Sequence, residues 1–450
     1  MAEPESGKRS IGYWSAVAIG VGGMVGGGIF AVLGLAVQLA HGGTFVAFFL
    51  AGIVALITSY SYAKLSVKFP SRGGTVEFLN QAFGTGLFAG GSNILLWLSY
   101  VVMLSLYSYA FGCYGSTFFP AETQHIWKHI LLSAIVILLT GLNVIGAKAV
   151  GKLEKWIVGF KLAILLVFVG VGLFYVDSQR LAPSTWVNII PLVAGGMIIF
   201  VAYEGFELIA NTAEDIVNPE KTLPRAYYSA VGFVIFLYIL VAIVTVGNLP
   251  VSQLIHARDY ALAAAAKPFM GNFGFILISI AALLSTGSAI NATLYGASRI
   301  SYIIARDGEL PKALEHNVWK RPVEGLIITT ILTLLMANLF NLHSISTMGS
   351  SGFLLIFAAV NYCNFKLSDK TGSVKWIPLL GVAVCLFALG ALLWQTWITS
   401  PWNVLVLVVM VGISFAIEII YRKITGREIK SNMRIEKSDG EDSKIMQNGS

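Results

Sequence analysis

The residues best suited to chemistry here are ones that an apolar segment should not contain. Residues 22–30 read GGMVGGGIF, Glu204 and Glu207 flank Gly205 in FVAYEGFE, and Lys161 stands inside KWIVGFKLAILLVFVGVGLF. Each glycine weakens a helix by about 1 kcal/mol relative to alanine, and a charged side chain at mid-membrane costs a few kcal/mol, roughly 2.5–3.5 by insertion scales. Two kinds of chemistry suit these residues. A helix unwound in hydrocarbon leaves N–H groups on one side of the break and C=O groups on the other, and both need a partner. A zwitterion supplies one. Its carboxylate suits the N–H groups at the positive end of the following half-helix, and its ammonium suits the freed carbonyls. A lysine shielded from water adds the second chemistry, because it can release a proton to one side and regain it from the other.

Plainer readings stand beside these. Gly22 with Gly26, and Gly23 with Gly27, are GxxxG pairs of the kind that let two helices pack closely. Lys161 lies about seven residues, or roughly 10 Å, into its segment, so its stem could run back to the interface. Glu207 is either a second proton site or a carboxylate that bonds nearby backbone and hydroxyls. Tyr107 either faces a pathway or packs as an ordinary aromatic. The glycine run is not a dinucleotide loop, which needs a preceding strand and a soluble fold.

The elements that must hold these residues follow from composition. Of the 450 residues 56% are hydrophobic and 12% charged, against about 25% charged in a soluble protein. The chain reads as an all-α integral membrane protein. Runs of about 20 apolar residues, the length that crosses a bilayer, fall at 11–40, 44–66, 86–118, 127–147, 154–176, 187–213, 226–248, 272–304, 324–342, 345–366, 376–397 and 400–421, which makes twelve spans. The first run is too long for a signal-peptide core and is read as a retained span. Residues 1–10 form a polar N-terminus, and residues 422–450 a mixed-charge tail with too little apolar surface to fold.

Of the 30 basic residues, Lys128, Arg180, Arg258 and Lys267 fall on one side, Lys161 falls within a span, and the others share the side of the N-terminus. The positive-inside rule then places both termini in the cytoplasm of a multi-pass protein of the plasma or inner membrane. The net charge of +7 is therefore topological, and nucleic acid is not an expected partner; membrane lipid is. Three cysteines, Cys113, Cys363 and Cys385, argue against a disulfide framework or a cysteine-held metal. All six histidines fall at span ends or in loops. No metal or cofactor is expected.

The two interrupted segments are spans 1 and 6. They lie five spans apart, an odd number, so the second group of five crosses the membrane inverted relative to the first. Interrupted helices at matching positions of two inverted halves mark the binding site of a secondary transporter. The expected organisation is a five-plus-five inverted repeat, 11–176 and 187–366, followed by two more helices at 376–421, with helices 1 and 6 discontinuous.

Four blocks resemble the amino acid–polyamine–organocation family over roughly residues 10–420: GGGIF at 26–30, FPSRGGTVEFLNQAFG at 69–84, FVAYEGFE running on to EDIVNPEKTLPRA at 200–226, and SAINATLYGASRISYIIARDGELP at 288–311. The resemblance implies transport of amino acids or related amines on that inverted-repeat fold. By the same resemblance Gly26, Gly27 and Gly28 supply N–H groups to a substrate carboxylate. Met24, Val201, Ala202 and Glu204 offer carbonyls to its amino group. Lys161 matches a span-5 lysine that replaces sodium in proton-coupled relatives, with the Gly22 carbonyl and the Ser288 hydroxyl as its expected neighbours and Ser285 as the lesser choice. The chain departs from the pattern at Val201, where a bulky aromatic gate is common, and at Glu204, where many relatives carry a small or neutral residue.

The expected function is secondary active transport of a small-molecule substrate, with proton-coupled symport first and amine or amino-acid exchange on the same fold second. A channel or sensor would show polar periodicity along several spans, whereas polarity here gathers on spans 1, 5, 6 and 8. An enzyme would need a reactive cluster within the bilayer, and none is visible. The sequence carries no ATP-binding motif for a primary pump.

Overall fold

The computed structural model describes residues 9–84, 86–145, 150–306, 317–318 and 321–425. The chain is almost wholly helical. The first span is two helices, α1 (Tyr13–Met24) and α2 (Gly28–Ala40), which meet at an angle of 46°. There follow α3 (Thr44–Lys68), the short amphipathic α4 (Thr75–Phe83), α5 (Leu87–Ser116), α6 (Gln124–Ile145) and α7 (Val150–Gly172). The sixth span starts as α8 (Ile189–Ile198), tightens to 3-10 turns over Ile199–Tyr203, breaks, and resumes as 3-10 turns over Phe206–Asp215. Beyond it come α9 (Pro219–Asn248), the short α10 (Val251–His256), α11 (Ala261–Arg306), α12 (Val323–Leu339), α13 (Leu342–Lys366), α14 (Ser368–Thr371), α15 (Trp376–Thr399) and α16 (Pro401–Thr425). The strands among the described residues are a minimal antiparallel pair, Asn317–Val318 with Arg321–Pro322.

Among the described residues ten helical segments are long and apolar enough to cross a membrane, and the bent α1–α2 pair makes eleven. One difference from the sequence reading has a local cause. The ninth expected span appears as α12, whose 17 residues are short of the usual requirement of about 20. The eighth opens just beyond a break within α11, where Gly271 adopts φ 62°, and a further helical stretch from Ala261 precedes that break. The loop block that includes Asp307 to Pro311 lies outside the described residues.

The bundle has a clear inside and outside. In α5, 89% of the apolar window is buried, whereas α6 buries 11% of its window. Ile137, Leu138, Phe160 and Phe174 point outward from α6, α7 and the turn after α7, as side chains facing lipid would. Around the buried α5 pack α6, α11, α12, α13 and α16, while α1 lies against α9 and the second half of span 6.

At the end of the bundle that carries the N-terminus, the chain before α1 is strapped to the end of span 6. Ser10 and Ile11 donate backbone N–H groups to the Asp215 carbonyl, each at 2.9 Å, and Val217 donates back to Ile11 at 2.9 Å. Arg72, from the loop after α3, reaches Glu214 at 3.3 Å and Asp215 at 3.7 Å.

Candidate functional site

The breaks in spans 1 and 6 lie against each other in the buried centre of the bundle. Their glycines make this possible through the absence of a side chain. A Cβ on Gly23 would stand 2.7 Å from the Gly205 carbonyl oxygen, and one on Gly28 would stand 2.7 Å from the Ala202 Cα. Gly205 itself has φ 119°, a torsion that side chains resist. Backbone therefore meets backbone on both sides of the break. The close-packing reading of the glycine run and the unwound-helix reading describe one arrangement.

Most of the carbonyls freed at the break are held by side chains from neighbouring spans. Tyr238 of α9 donates its hydroxyl to the Met24 carbonyl at 2.7 Å and lies 3.2 Å from that of Ala202. Ser285 of α11 bonds the Val25 carbonyl at 2.8 Å and also that of Gly26. Lys161 of α7 donates from Nζ to the Gly22 carbonyl at 3.1 Å. From α13, Ser350 donates to the Ile198 carbonyl at 2.7 Å and accepts the Val201 N–H at 3.0 Å. These contacts are strong inducements to order, since an orphaned buried carbonyl costs about 1–3 kcal/mol.

The ionisable side chains of the sequence reading are all buried. Lys161 has no exposed surface, so it does not run back to the helix end as a snorkelling lysine would. Glu204 is 4% exposed and accepts the Tyr107 hydroxyl at 3.2 Å. Glu207 is 1% exposed; it accepts the Gly205 N–H at 2.7 Å and the Tyr100 hydroxyl at 3.2 Å. Tyr100 and Tyr107 are thus a pair of clamps from α5, two turns apart. Among the described residues no ion pair reaches either carboxyl group. Tyr107 also lays its ring over Gly27, where an added Cβ would fall 3.0 Å from Cε1.

The structure therefore brings together Gly22, Met24, Gly26, Gly27, Gly28, Lys161, Val201, Ala202, Glu204 and Glu207. Ser288 is half-buried on α11, and the hydroxyl that α11 gives to span 1 is that of Ser285, three residues earlier. Tyr238 and Ser350 were not found from the sequence. Each is an ordinary residue of its span, and only the tertiary register aims it at the break. Glu418, a buried acid in α16 bonded to Arg422 and set against Gly90 of α5, was also missed; its position at the helix end, one turn before a basic pair, hides it. Asp215 pairs with Arg72, as noted above, while the side chain of Arg306 and all of Asp307 lie outside the described residues. Among the described residues no group of three or more metal-ligating side chains gathers, and all three cysteines are free thiols.

The sequence model for amino acid permeases matches residues 11–418. The chain belongs to the amino acid permease family. This is the amino acid–polyamine–organocation superfamily that its four blocks resemble, and the chain is a multi-pass membrane protein. The permease is 39% identical to an uncharacterized protein of Methanocaldococcus jannaschii over 433 residues, covering 95% of this chain and 98% of that one. It is 33% identical to the inner membrane transport protein YbaT of Escherichia coli over 403 residues, covering 88% and 92% of the two chains. It is 26% identical to the branched-chain amino acid permease BcaP of Bacillus subtilis over 425 residues, covering 86% and 89%.

Proposed function

We propose that this permease is a secondary active transporter of amino acids that works by alternating access and is driven by protons. The observation that carries the reading is the buried Lys161 amine on the Gly22 carbonyl, at the mouth of a break that abuts a second break in span 6. A cation fixed there by the protein occupies the place where a mobile cation would otherwise offset the carbonyl, and its proton can come and go. Family membership and the amino acid permease of Bacillus subtilis support amino acids as the substrate class.

In this reading the N–H groups of Gly26, Gly27 and Gly28 hold the substrate carboxylate at the start of α2. The carbonyls of Met24, Val201 and Ala202, with Glu204 beside them, hold its ammonium. Tyr107 and Tyr238 now occupy those partners and move aside when substrate enters. The α12 segment completes twelve spans as a short ninth, the halves 11–176 and 187–366 form the inverted repeat, and both termini are cytoplasmic at the cell membrane. Glu207 holds a second exchangeable proton. The Glu204 and Glu207 carboxyl groups, with no cation paired to them among the described residues, favour one further reading, an exchanger of amines or polyamines on the same fold.

The test is uptake into proteoliposomes of labelled amino acids and polyamines, with an imposed pH gradient, with and without sodium, and with the lumen empty or preloaded. Accumulation with an empty lumen, driven by pH and indifferent to sodium, is the expected result. Uptake only into preloaded vesicles establishes the exchanger instead. A requirement for sodium overturns proton coupling.

A further inference from the structure

We infer that Val201 and Gly349 form an interlocking pair that limits substrate side chains to small ones, of the size of alanine or serine. The inference rests on the substrate site proposed above. Val201 is the residue before Ala202, whose Cα meets Gly28 and whose carbonyl faces Tyr238. Its side chain is 1% exposed and points across the bundle to α13 and α5. A Cβ built on Gly349 would stand 2.9 Å from Val201 Cγ2, 3.5 Å from Val102 Cγ1 and 3.8 Å from Met103 Sδ. One methyl group at position 349 would therefore contend directly with Val201.

This contact adjoins the break. Met103 is one helical turn before Tyr107 on α5, about 6 Å along the axis, and Tyr107 covers Gly27. A ligand whose backbone rests on Gly27, Gly28 and the Ala202 carbonyl would send its side chain toward Met103, Val201 and Gly349. Val102, Met103 and Val201 are apolar and buried, and α13 is held in register with Val201 by Ser350, which accepts the Val201 N–H at 3.0 Å. A glycine inside a buried helix weakens it, so Gly349 needs a local reason. The closeness of Val201 supplies one that a general preference for small residues between helices does not.

The test compares leucine with alanine uptake by the full-length protein in proteoliposomes, for the parent, Val201→Ala, Gly349→Ala and the double variant. The parent is expected to favour alanine. Val201→Ala, which opens space, should raise the leucine-to-alanine ratio about tenfold, the scale on which an apolar pocket distinguishes side chains by size. Gly349→Ala should lower that ratio, and the double variant should return it to near the parental value. A ratio unchanged in both single variants overturns the inference, as does a double variant that keeps the raised ratio of Val201→Ala. If Gly349→Ala fails to fold, Val201→Ala still decides, because mere packing predicts a loss of thermal stability with no change in the ratio. No amino acid uptake by the parent would overturn the transport reading itself, whereas equal effects on both substrates would overturn the size limit alone.

Discussion

Replacing Lys161 by alanine separates binding from coupling. In the structure the amine makes a 3.1 Å bond to the Gly22 carbonyl and has no exposed surface. Removing it orphans that carbonyl, at about 1–3 kcal/mol, and leaves a hole where the stem had been. A folded domain with about 5–15 kcal/mol in hand survives such a loss. The substrate partners on Gly26, Gly27, Gly28 and Ala202 are untouched, so binding should persist. What should vanish is drive. With one proton carried per substrate, each pH unit across the membrane is worth about 1.36 kcal/mol, or a tenfold concentration ratio. A gradient of about two units, acid outside, should let the parent accumulate substrate roughly a hundredfold, and Lys161→Ala should reach a ratio near one. Exchange of labelled against unlabelled substrate should continue in the variant. Lys161→Met, which refills the hole without restoring a proton carrier, should behave like alanine in transport and better in thermal stability. A Lys161→Ala protein that still concentrates substrate under the pH gradient would refute the coupling role, as would a parent that accumulates only with sodium.

Three further substitutions probe the rest of the site. Gly27→Leu places a side chain against the Tyr107 ring, where even a Cβ would lie 3.1 Å from Cγ; folded protein is expected in the membrane with no stabilisation by substrate in a thermal-shift assay, and normal stabilisation would remove Gly27 from the site. Glu204→Gln keeps the shape that meets Tyr107 but cannot ionise beside an arriving ammonium, so competition assays should show amine-rich substrates weakened more than neutral ones; an unchanged ranking would make Glu204 structural. Tyr238→Phe strips the hydroxyl from the Met24 and Ala202 carbonyls, and the melting transition should fall by the equivalent of about 1–3 kcal/mol; an unchanged transition would mean that other groups already satisfy those carbonyls.

The site was legible in the sequence wherever a residue opposed its surroundings. Glycines 22–28, Lys161, Glu204 and Glu207 stand out because an apolar span gains nothing from them locally. Tyr238, Ser285 and Ser350 do not stand out. Tyrosine and serine are common in membrane helices, where a serine hydroxyl usually bonds its own helix, as those of Ser99 and Ser105 do on α5. Only the packing of α9, α11 and α13 around the breaks turns these three toward freed carbonyls. Ser285 and Ser288 differ little in sequence terms, three residues apart on one helix, and it is the Ser285 hydroxyl that meets the Val25 and Gly26 carbonyls. The helical stretch that precedes Gly271 in α11 does not stand out in the sequence, because Lys267 and Pro268 interrupt its apolar run.

The opening glycine run holds two kinds of contact that differ in how they can change. Gly23 against Gly205 and Gly28 against Ala202 are contacts of backbone with backbone, at separations that leave no room for even one carbon. They cannot be remodelled by a side-chain rotation, and they join span 1 to span 6 on both sides of the break. The contacts from the surrounding helices are of another kind. Tyr107 reaches Gly27 and Glu204, Ser285 reaches Val25, Tyr238 reaches Met24, and Lys161 reaches Gly22, each through a side chain with rotamers to spare. A side chain can leave its partner by rotating about its own bonds, whereas parting two packed backbones requires a collective helix movement on the microsecond to millisecond scale. The partners of the break that side-chain motion alone can release are therefore the hydroxyl and amine groups brought by α5, α7, α9 and α11, and the glycines are what keep the backbones of spans 1 and 6 in direct contact.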